Sequence, residues 1–282
     1  MVVARTIEEV RRAVGAARRQ GRVVGLVPTL GALHAGHFSL IDRARAECGF
    51  VVVSIFVNPT QFGPDEDFER YPRPFEKDVA GCEAHGVEVV FAPEAAHMYP
   101  EGFCTEVQVK GLGSVLEGEL RPAHFGGVCA VVLKLLQIVQ PEVAYFGEKD
   151  YQQLVILEQM VRDLNVPVRI VGCATVREQD GMALSSRNAY LSVEERARGL
   201  AIAHGLRAAE AAWKSGERRA EALCALVRQE LQGAGLEIDY LAAAEPETLK
   251  PVEGACRECV LLVAVRVGRT RLLDNVILSS EV

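Results

Sequence analysis

The chain has 282 residues, 49% of them hydrophobic and 24% charged. This is the composition of a globular protein, which excludes a disordered chain, and the length excludes a short disulfide scaffold. Lys plus Arg is 31 against 38 for Asp plus Glu, a formal charge of −7, which argues against a general nucleic-acid binder but leaves room for an anion-binding cleft.

No apolar run is long enough to span a membrane, and residues 1–14 carry Arg5, Glu8, Glu9, Arg11 and Arg12 where a leader would be apolar. Eight scattered cysteines suit a reducing compartment. The expectation is a cytoplasmic protein with neither membrane nor nucleic acid as partner.

In chain order, Thr6-Ile7-Glu8-Glu9 reads as a capping box, and Ile7, Val10 and Val14 continue at helical spacing to a stop at Gly21. Residues 23–27 read as a buried strand. Phe38, Leu40, Ile41 and Ala44 share a helix face, and residues 50–57 form a longer buried strand before Pro59. A helix over 76–85 ends at Gly86, followed by a strand over 87–91. A helix over 127–139, a short strand over 143–146, a helix over 151–164 and an extended run over 166–171 complete the alternation. Strands apolar on both faces between helices predict a Rossmann-like parallel sheet covered on both sides, over residues 1–176. From 177 the texture changes. Two polar-faced helices (192–215 and 218–232) precede strands over 238–242, 260–267 and 271–276, with a tight turn at Gly268-Arg269. These predict a smaller α+β domain, 177–282, closing over the site as a lid.

Four stretches carry chemistry. Pro28-Thr29-Leu30-Gly31-Ala32-Leu33-His34-Ala35-Gly36-His37 sits where the first long strand gives way to a helix. Ligands bind at such carboxyl ends in open α/β sheets, and a helix N-terminus there favours an anion. His34 and His37 fall on one side of the first turn, where imidazoles can donate to phosphate oxygens. An ordinary histidine pair, or a shared zinc ion with no third soft ligand nearby, are the alternatives. Neither G-x-x-x-x-G-K-[ST] nor G-x-G-x-x-G occurs. After the next strand come Asn58 and Gln61, amides suited to a hydroxyl-bearing substrate, although Asn58-Pro59 alone reads as a turn.

Arg121 and His124 precede an apolar helix; they equally suit a cationic cleft or a surface arginine and a capping histidine. Phe146-Gly147-Glu148-Lys149-Asp150-Tyr151-Gln152-Gln153 opens another helix, where Lys149 is either a phosphate partner or one of a cluster of solvated charges. Residues 177–188 include Asp180-Gly181 and Ser185-Ser186-Arg187-Asn188, a phosphate clamp or an exposed turn and loop. A lone Cys256-Arg257-Glu258-Cys259 is half a zinc site, a redox pair, or two thiols near a hairpin.

Taken together, these motifs resemble the pantoate–β-alanine ligase family (pantothenate synthetases) of the H-x-G-H nucleotidyltransferase superfamily, over nearly the whole chain to Arg271-Leu272-Leu273-Asp274-Asn275. Cys129-Ala130 departs from the family pattern, which has a small residue followed by Thr. The resemblance implies ATP-dependent condensation of (R)-pantoate with β-alanine to pantothenate, AMP and diphosphate through a pantoyl adenylate. ATP and Mg²⁺ are implied, as is a homodimer. It implies catalytic roles for His34, His37, Lys149, Ser185, Ser186 and Arg187, with no metal ligand assigned. ATP would be bound by Leu30, Gly31, Ala32, Leu33, His34, Ala35, Gly36, His37, Gly147, Glu148, Lys149, Asp150, Val176, Leu184, Ser185, Ser186 and Arg187. Pantoate and β-alanine would be bound by Asn58, Gln61, Arg121, His124 and Gln153. Rival readings are an adenylyltransferase that stops at an adenylylated product, a non-catalytic nucleotide sensor, and a thiol or zinc protein built on Cys256 and Cys259.

Overall fold

The computed structural model describes residues 1–64 and 66–279. The chain divides into two compact units: Met1–Glu148 with Gln152–Ala174, and Lys149–Tyr151 with Thr175–Val282.

In chain order the elements up to residue 174 are β1 (Val2–Ala4), α1 (Ile7–Arg19), β2 (Val24–Thr29), α2 (Ala35–Glu47), β3 (Phe50–Ile55), α3 (Phe75–Ala84), β4 (Val89–Phe91), α4 (Ala95–Met98), α5 (Glu117–Leu120), α6 (His124–Val139), β5 (Val143–Gly147), α7 (Tyr151–Asp163) and β6 (Arg169–Cys173). The six strands form one sheet in the order β1-β4-β3-β2-β5-β6 with parallel pairing. Side chains alternate between its faces. Leu26, Val52, Phe91 and Phe146 join the core under α1 and α6, with Val10, Val14, Leu135 and Val139. Val27, Val53, Val90 and Tyr145 point the other way, onto Leu40, Ile41 and Ala44 of α2 and Cys82 of α3. Two cores, one per face, are why the strands read as unbroken apolar runs, and they confirm the parallel sheet with helices on both faces.

The strand order reverses between β2 and β5. From β2 the chain builds outward through β3 and β4, then returns to place β5 on the other side of β2. The two loops leaving adjacent carboxyl ends therefore diverge to opposite faces and leave a crevice where ligands settle.

The capping box at Thr6 is formed: the Thr6 hydroxyl accepts from the Glu9 N–H at 3.2 Å, and Glu9 Oε2 accepts from the Thr6 N–H at 3.1 Å, an arrangement worth about 1 kcal/mol. Among the differences from the sequence expectation, three have a plain local cause. β1 was not expected, because three residues ahead of a cap show no period; it pairs with β4 as an edge strand, Val2 opposite Val89. β3 ends at Ile55, since the chain turns at Asn58-Pro59. β6 begins only at Arg169, because Val166 and Val168 donate into a turn, to Val161 O and Val166 O.

The second unit contains α8 (Val193–Lys214), α9 (Ala220–Gly233), β7 (Glu237–Ala244), β8 (Glu258–Val267) and β9 (Thr270–Ser279). The strands form an antiparallel sheet β7-β8-β9. Leu206, Trp213, Leu223, Val227 and Leu231 of the helices pack on Leu261, Val263 and Val265 of the central strand. Ser192 closes a second capping box with Glu195 at the start of α8, as its apolar-periodic run after Ser-Val-Glu-Glu requires.

Candidate active site

Between β2 and α2 the backbone takes an unusual course. Gly31 has φ +90° and Ala32 φ +52°, and a non-glycine residue in this left-handed region costs about 1–2 kcal/mol. A Cβ on Gly31 would stand 3.1 Å from both Asp78 Oδ2 and Ile55 Cγ2, so this position needs glycine for its conformation and its close approach alike. Gly31 N–H donates to Thr29 Oγ1 at 3.1 Å. Ala32 N–H donates to Asp78 Oδ2 and Leu33 N–H to Asp78 Oδ1, each at 2.8 Å. Asp78, in the first turn of α3, is 1% exposed. Burial pushes its carboxyl above the usual carboxylate range, and the two N–H bonds oppose that rise.

The two imidazoles themselves cap α2. His34 is the N-cap, and its Nδ1 accepts from the Gly36 N–H at 3.2 Å. The His34 N–H donates to His37 Nδ1 at 3.3 Å. This is a capping box made of histidines, with ring centroids 4.1 Å apart. Because each Nδ1 accepts, a neutral ring carries its proton on Nε2. Both rings are partly exposed at the amino end of a 13-residue helix, where the helix dipole favours an anion.

The turn after β3 is locked from several sides. Asn58, expected to face substrate, is fully buried, and its amide is engaged within the protein. Its Nδ2 donates to Gln61 Oε1 and to Gly127 O, both at 3.1 Å, and its Oδ1 accepts from Tyr99 OH at 2.8 Å and Thr60 Oγ1 at 3.0 Å. Gly127 lets α6 press against this turn, for a Cβ there would lie 2.2 Å from Thr60 O. Arg121 and His124 grip the same turn from the other side. Arg121 Nη2 donates to Gln61 O at 3.2 Å and His124 Nδ1–H donates to it at 2.8 Å. Arg121 also forms a forked pair with Glu66 and meets Glu117 at 3.4 Å. Burial pushes the Glu66 carboxyl up, but the Arg121 hydrogen bonds and charge prevail and hold it below the usual range. Burial, reinforced by the Arg121 charge, lowers His124 to about 4, so its ring is neutral near pH 7. Gln61 is thus the group that Asn58, Arg121 and His124 hold in place.

Gln152 and Gln153 begin α7 side by side and differ. Gln152 is buried and braces the 112–117 loop, donating to Leu112 O and Val115 O at 2.8 Å and accepting from the Glu117 N–H at 3.1 Å. Gln153 is half-buried. At the departure from the family pattern, Cys129 is fully buried and Ala130 nearly so in the α6 core; burial raises the thiol to about 11.

In the second unit, residues 176–184 form a small hairpin. Leu184 N–H donates to Val176 O at 3.0 Å, Glu178 N–H to Met182 O at 2.8 Å, and Arg177 pairs with Ala183. The turn reading of Asp180-Gly181 holds: Asp180 Oδ1 accepts from the Met182 N–H at 3.1 Å. The hairpin is tied down by Arg196 to Glu178 and Asp180, and by Arg177 to Asp274 through 2.6 Å and 3.0 Å bonds. Ser185 then caps a short 3₁₀ turn, Ser186–Tyr190, accepting from the Arg187 N–H at 3.3 Å. Asn275, beside Asp274 on β9, donates to Lys149 O at 2.9 Å. Lys149, Ser185, Arg187 and Asn188 line one pocket together with Arg271 and Asp274. The structure therefore gathers Lys149 with Ser185 and Arg187, and Ser186 joins the same turn. Asp150 lies 3.5 Å from the Lys149 ammonium.

Asp78 and Tyr99 were not singled out from sequence, and Gln152 and Asn275 stood only within longer motifs, with no role of their own. An acid in the first turn of a helix is ordinary, which hid Asp78. Asp274-Asn275 did carry a signal, because an adjacent Asp-Asn pair is rare in an apolar strand.

All eight cysteines are free thiols. Cys259 is fully buried at the start of β8, its thiol raised to about 12 by burial. Among the described residues no three His, Cys, Asp or Glu side chains converge to hold a metal, and no helix is long and apolar enough to cross a membrane.

The pantoate-beta-alanine ligase family matches residues 2–277. The pantothenate synthetase of Moorella thermoacetica is 50% identical over 279 residues, 99% of either chain, and that of Aquifex aeolicus is 52% identical over 273 residues, 95% of this chain and 96% of the relative. The crystal structure of pantothenate synthetase from Thermus thermophilus superposes with a TM-score of 0.94 at 46% identity, covering 99% of this chain and 100% of that one. Pantoate-beta-alanine ligase from Francisella tularensis, complexed with beta-gamma ATP and beta-alanine, gives 0.82 at 34% identity over 98% and 97%. With its histidine-capped helix at the sheet's switch point and these likenesses along its whole length, the chain belongs to the pantoate–beta-alanine ligase family of enzymes.

Proposed function

We propose that the chain joins (R)-pantoate to β-alanine at the expense of ATP, yielding pantothenate, AMP and diphosphate through an enzyme-bound pantoyl adenylate. One observation carries the reading furthest. In a chain matched to the ligase family over residues 2–277, the two H-x-G-H imidazoles cap α2 with both Nδ1 atoms occupied by backbone N–H groups. Neutral rings held that way present Nε2–H donors, the groups needed where charge builds on phosphate oxygens.

The chemistry asks for little acid–base help at first. A carboxylate, with a pKa near 4, is already the nucleophile at pH 7. The pantoate oxygen attacks the α-phosphorus in line, the bond to the bridging oxygen breaks, and diphosphate leaves with the electron pair. Rate enhancement then comes from positioning and charge neutralisation. His34 and His37 serve that role at the α2 terminus; Lys149, Ser185, Ser186 and Arg187 supply the remaining donors. Gln61, presented by Asn58, Arg121 and His124, and half-buried Gln153 bind pantoate through its hydroxyl and carboxylate groups. In the second step the β-alanine amine, mostly protonated in solution, gives up a proton and attacks the mixed anhydride carbonyl, releasing AMP. The C-terminal segment, residues 177–282, acts as the lid that keeps water from the adenylate.

The chain offers no three-ligand cluster for Mg²⁺ among its described residues. If the ion came in with the nucleotide, held chiefly by phosphate oxygens and water, it would supply charge neutralisation at the phosphates. The resemblance also supports a homodimer acting in the cytoplasm.

The test is AMP formation from ATP and Mg²⁺ with pantoate and β-alanine supplied together and singly. AMP accumulating only with both acids present supports the reading. AMP or diphosphate release independent of pantoate contradicts it, and accumulation of a stable adenylylated product indifferent to β-alanine points to an adenylyltransferase.

A further inference from the structure

We propose that Asp78 is the positioning residue of the nucleotide-binding loop: its carboxylate, fixed in the first turn of α3, sets where the backbone of residues 30–37 and its two imidazoles stand when ATP binds. This rests on the functional reading above. Only four residues separate Thr29, the last residue of β2, from His34, the N-cap of α2. Gly31 and Ala32 are both left-handed, and a turn of that kind aims successive N–H groups at one point. That point is occupied by a side chain from another element. Ala32 donates to Oδ2 and Leu33 to Oδ1, both at 2.8 Å, and Gly31 lies so close to Oδ2 that a Cβ there would stand 3.1 Å away. The loop therefore wraps a carboxylate that is 1% exposed, and the next residue is His34.

A carboxylate is the only common side chain of this size that accepts both N–H groups at once. Asparagine is nearly isosteric but has a single acceptor oxygen; its NH₂ would face one of the two N–H donors. Burying a charged group without a compensating partner is unfavourable, so its presence here is explained by what it holds. A displacement of about 1 Å in groups that position a reacting centre costs on the order of a hundredfold in rate, which sets the scale of effect expected when this loop is released.

The experiment compares the unmodified full-length chain with Asp78→Asn in pantoate-dependent exchange of labelled diphosphate into ATP. The expected result is an exchange kcat lowered by about tenfold to a hundredfold, with the KM for pantoate within about twofold and a cooperative thermal melt retained. An exchange kcat within about twofold of the unmodified chain overturns the proposal, as does a fall matched by an equal rise in the pantoate KM, the mark of general disruption. A measurement on the unmodified chain guards against a variant that does not fold. The Ala32 and Leu33 amide protons should exchange with solvent about a hundredfold more slowly than exposed amides, and exchange at exposed rates overturns the proposal. If the unmodified chain shows no pantoate-dependent exchange, the functional reading falls and takes this proposal with it. Exchange in the unmodified chain with an unchanged variant sinks the role of Asp78 alone.

Discussion

Residues 31–33 are held by a buried carboxylate accepting backbone N–H groups, whereas residues 177–188 are held by side-chain ion pairs in which Arg177, Arg196, Glu178 and Asp180 are each about a third exposed. The first device fixes backbone without a cation from the loop and is nearly independent of salt. The second works through charges that water and ions screen. A donor set built on backbone is fixed before ligand arrives; one built on exposed ion pairs holds a segment less tightly. The backbone-held loop is therefore the more rigid of the two regions, whatever each binds.

The largest effect that would sharpen this contrast is at the rigid end. His37→Ala should lower adenylate formation by about a hundredfold or more with the fold intact; normal diphosphate exchange in that variant would remove the imidazole's role. At the other end, Asp274→Asn leaves Arg177 without its forked partner on a side chain only 4% exposed. It should cost about 1–3 kcal/mol in denaturant unfolding, whereas Asp180→Asn, which takes a carboxylate from Arg196 where both side chains are about a third exposed, should cost less than about 1 kcal/mol, and that smaller loss should shrink in high salt. A salt-independent loss at Asp180 would break the comparison. Next comes Gln153→Ala, expected to weaken pantoate binding by about tenfold while ATP binding changes less; equal effects by calorimetry would count against the pantoate pocket.

The smallest effect is in pH dependence. His124 titrates at about 4 in the folded chain against 6.5 ordinarily. The unfolded chain therefore binds more protons between those values, and stability falls as pH drops from 6.5 toward 4. His124→Gln should flatten the melting temperature over that window, and an unaltered pH slope would remove the assignment.

Much of this was legible in the sequence because the fold repeats one simple pattern. The runs at 23–27 and 50–57 are apolar on both faces since the sheet has a core on each side. The Thr6 cap, the Gly268-Arg269 turn and the histidine motif are local signals that survive folding unchanged. What escaped was long-range. Asp78 reaches a loop 45 residues away, and Asn275 reaches Lys149 across 126 residues, pairings that no spacing rule encodes. Asn58 was expected at the substrate and instead spends its amide on Gln61 and Gly127, a choice set by how closely α6 approaches through Gly127. A turn and a binding loop look alike in sequence; only the packed helix tells which amide is used up.

The account's central claim is that a pantoate carboxylate oxygen bonds to phosphorus on this enzyme. Pantoate labelled with ¹⁸O in its carboxylate, turned over with ATP and β-alanine, tests it directly. Attack at the α-phosphorus followed by carbonyl–oxygen cleavage predicts one labelled oxygen in AMP and one in pantothenate. Label in the diphosphate, or AMP free of label, would contradict it.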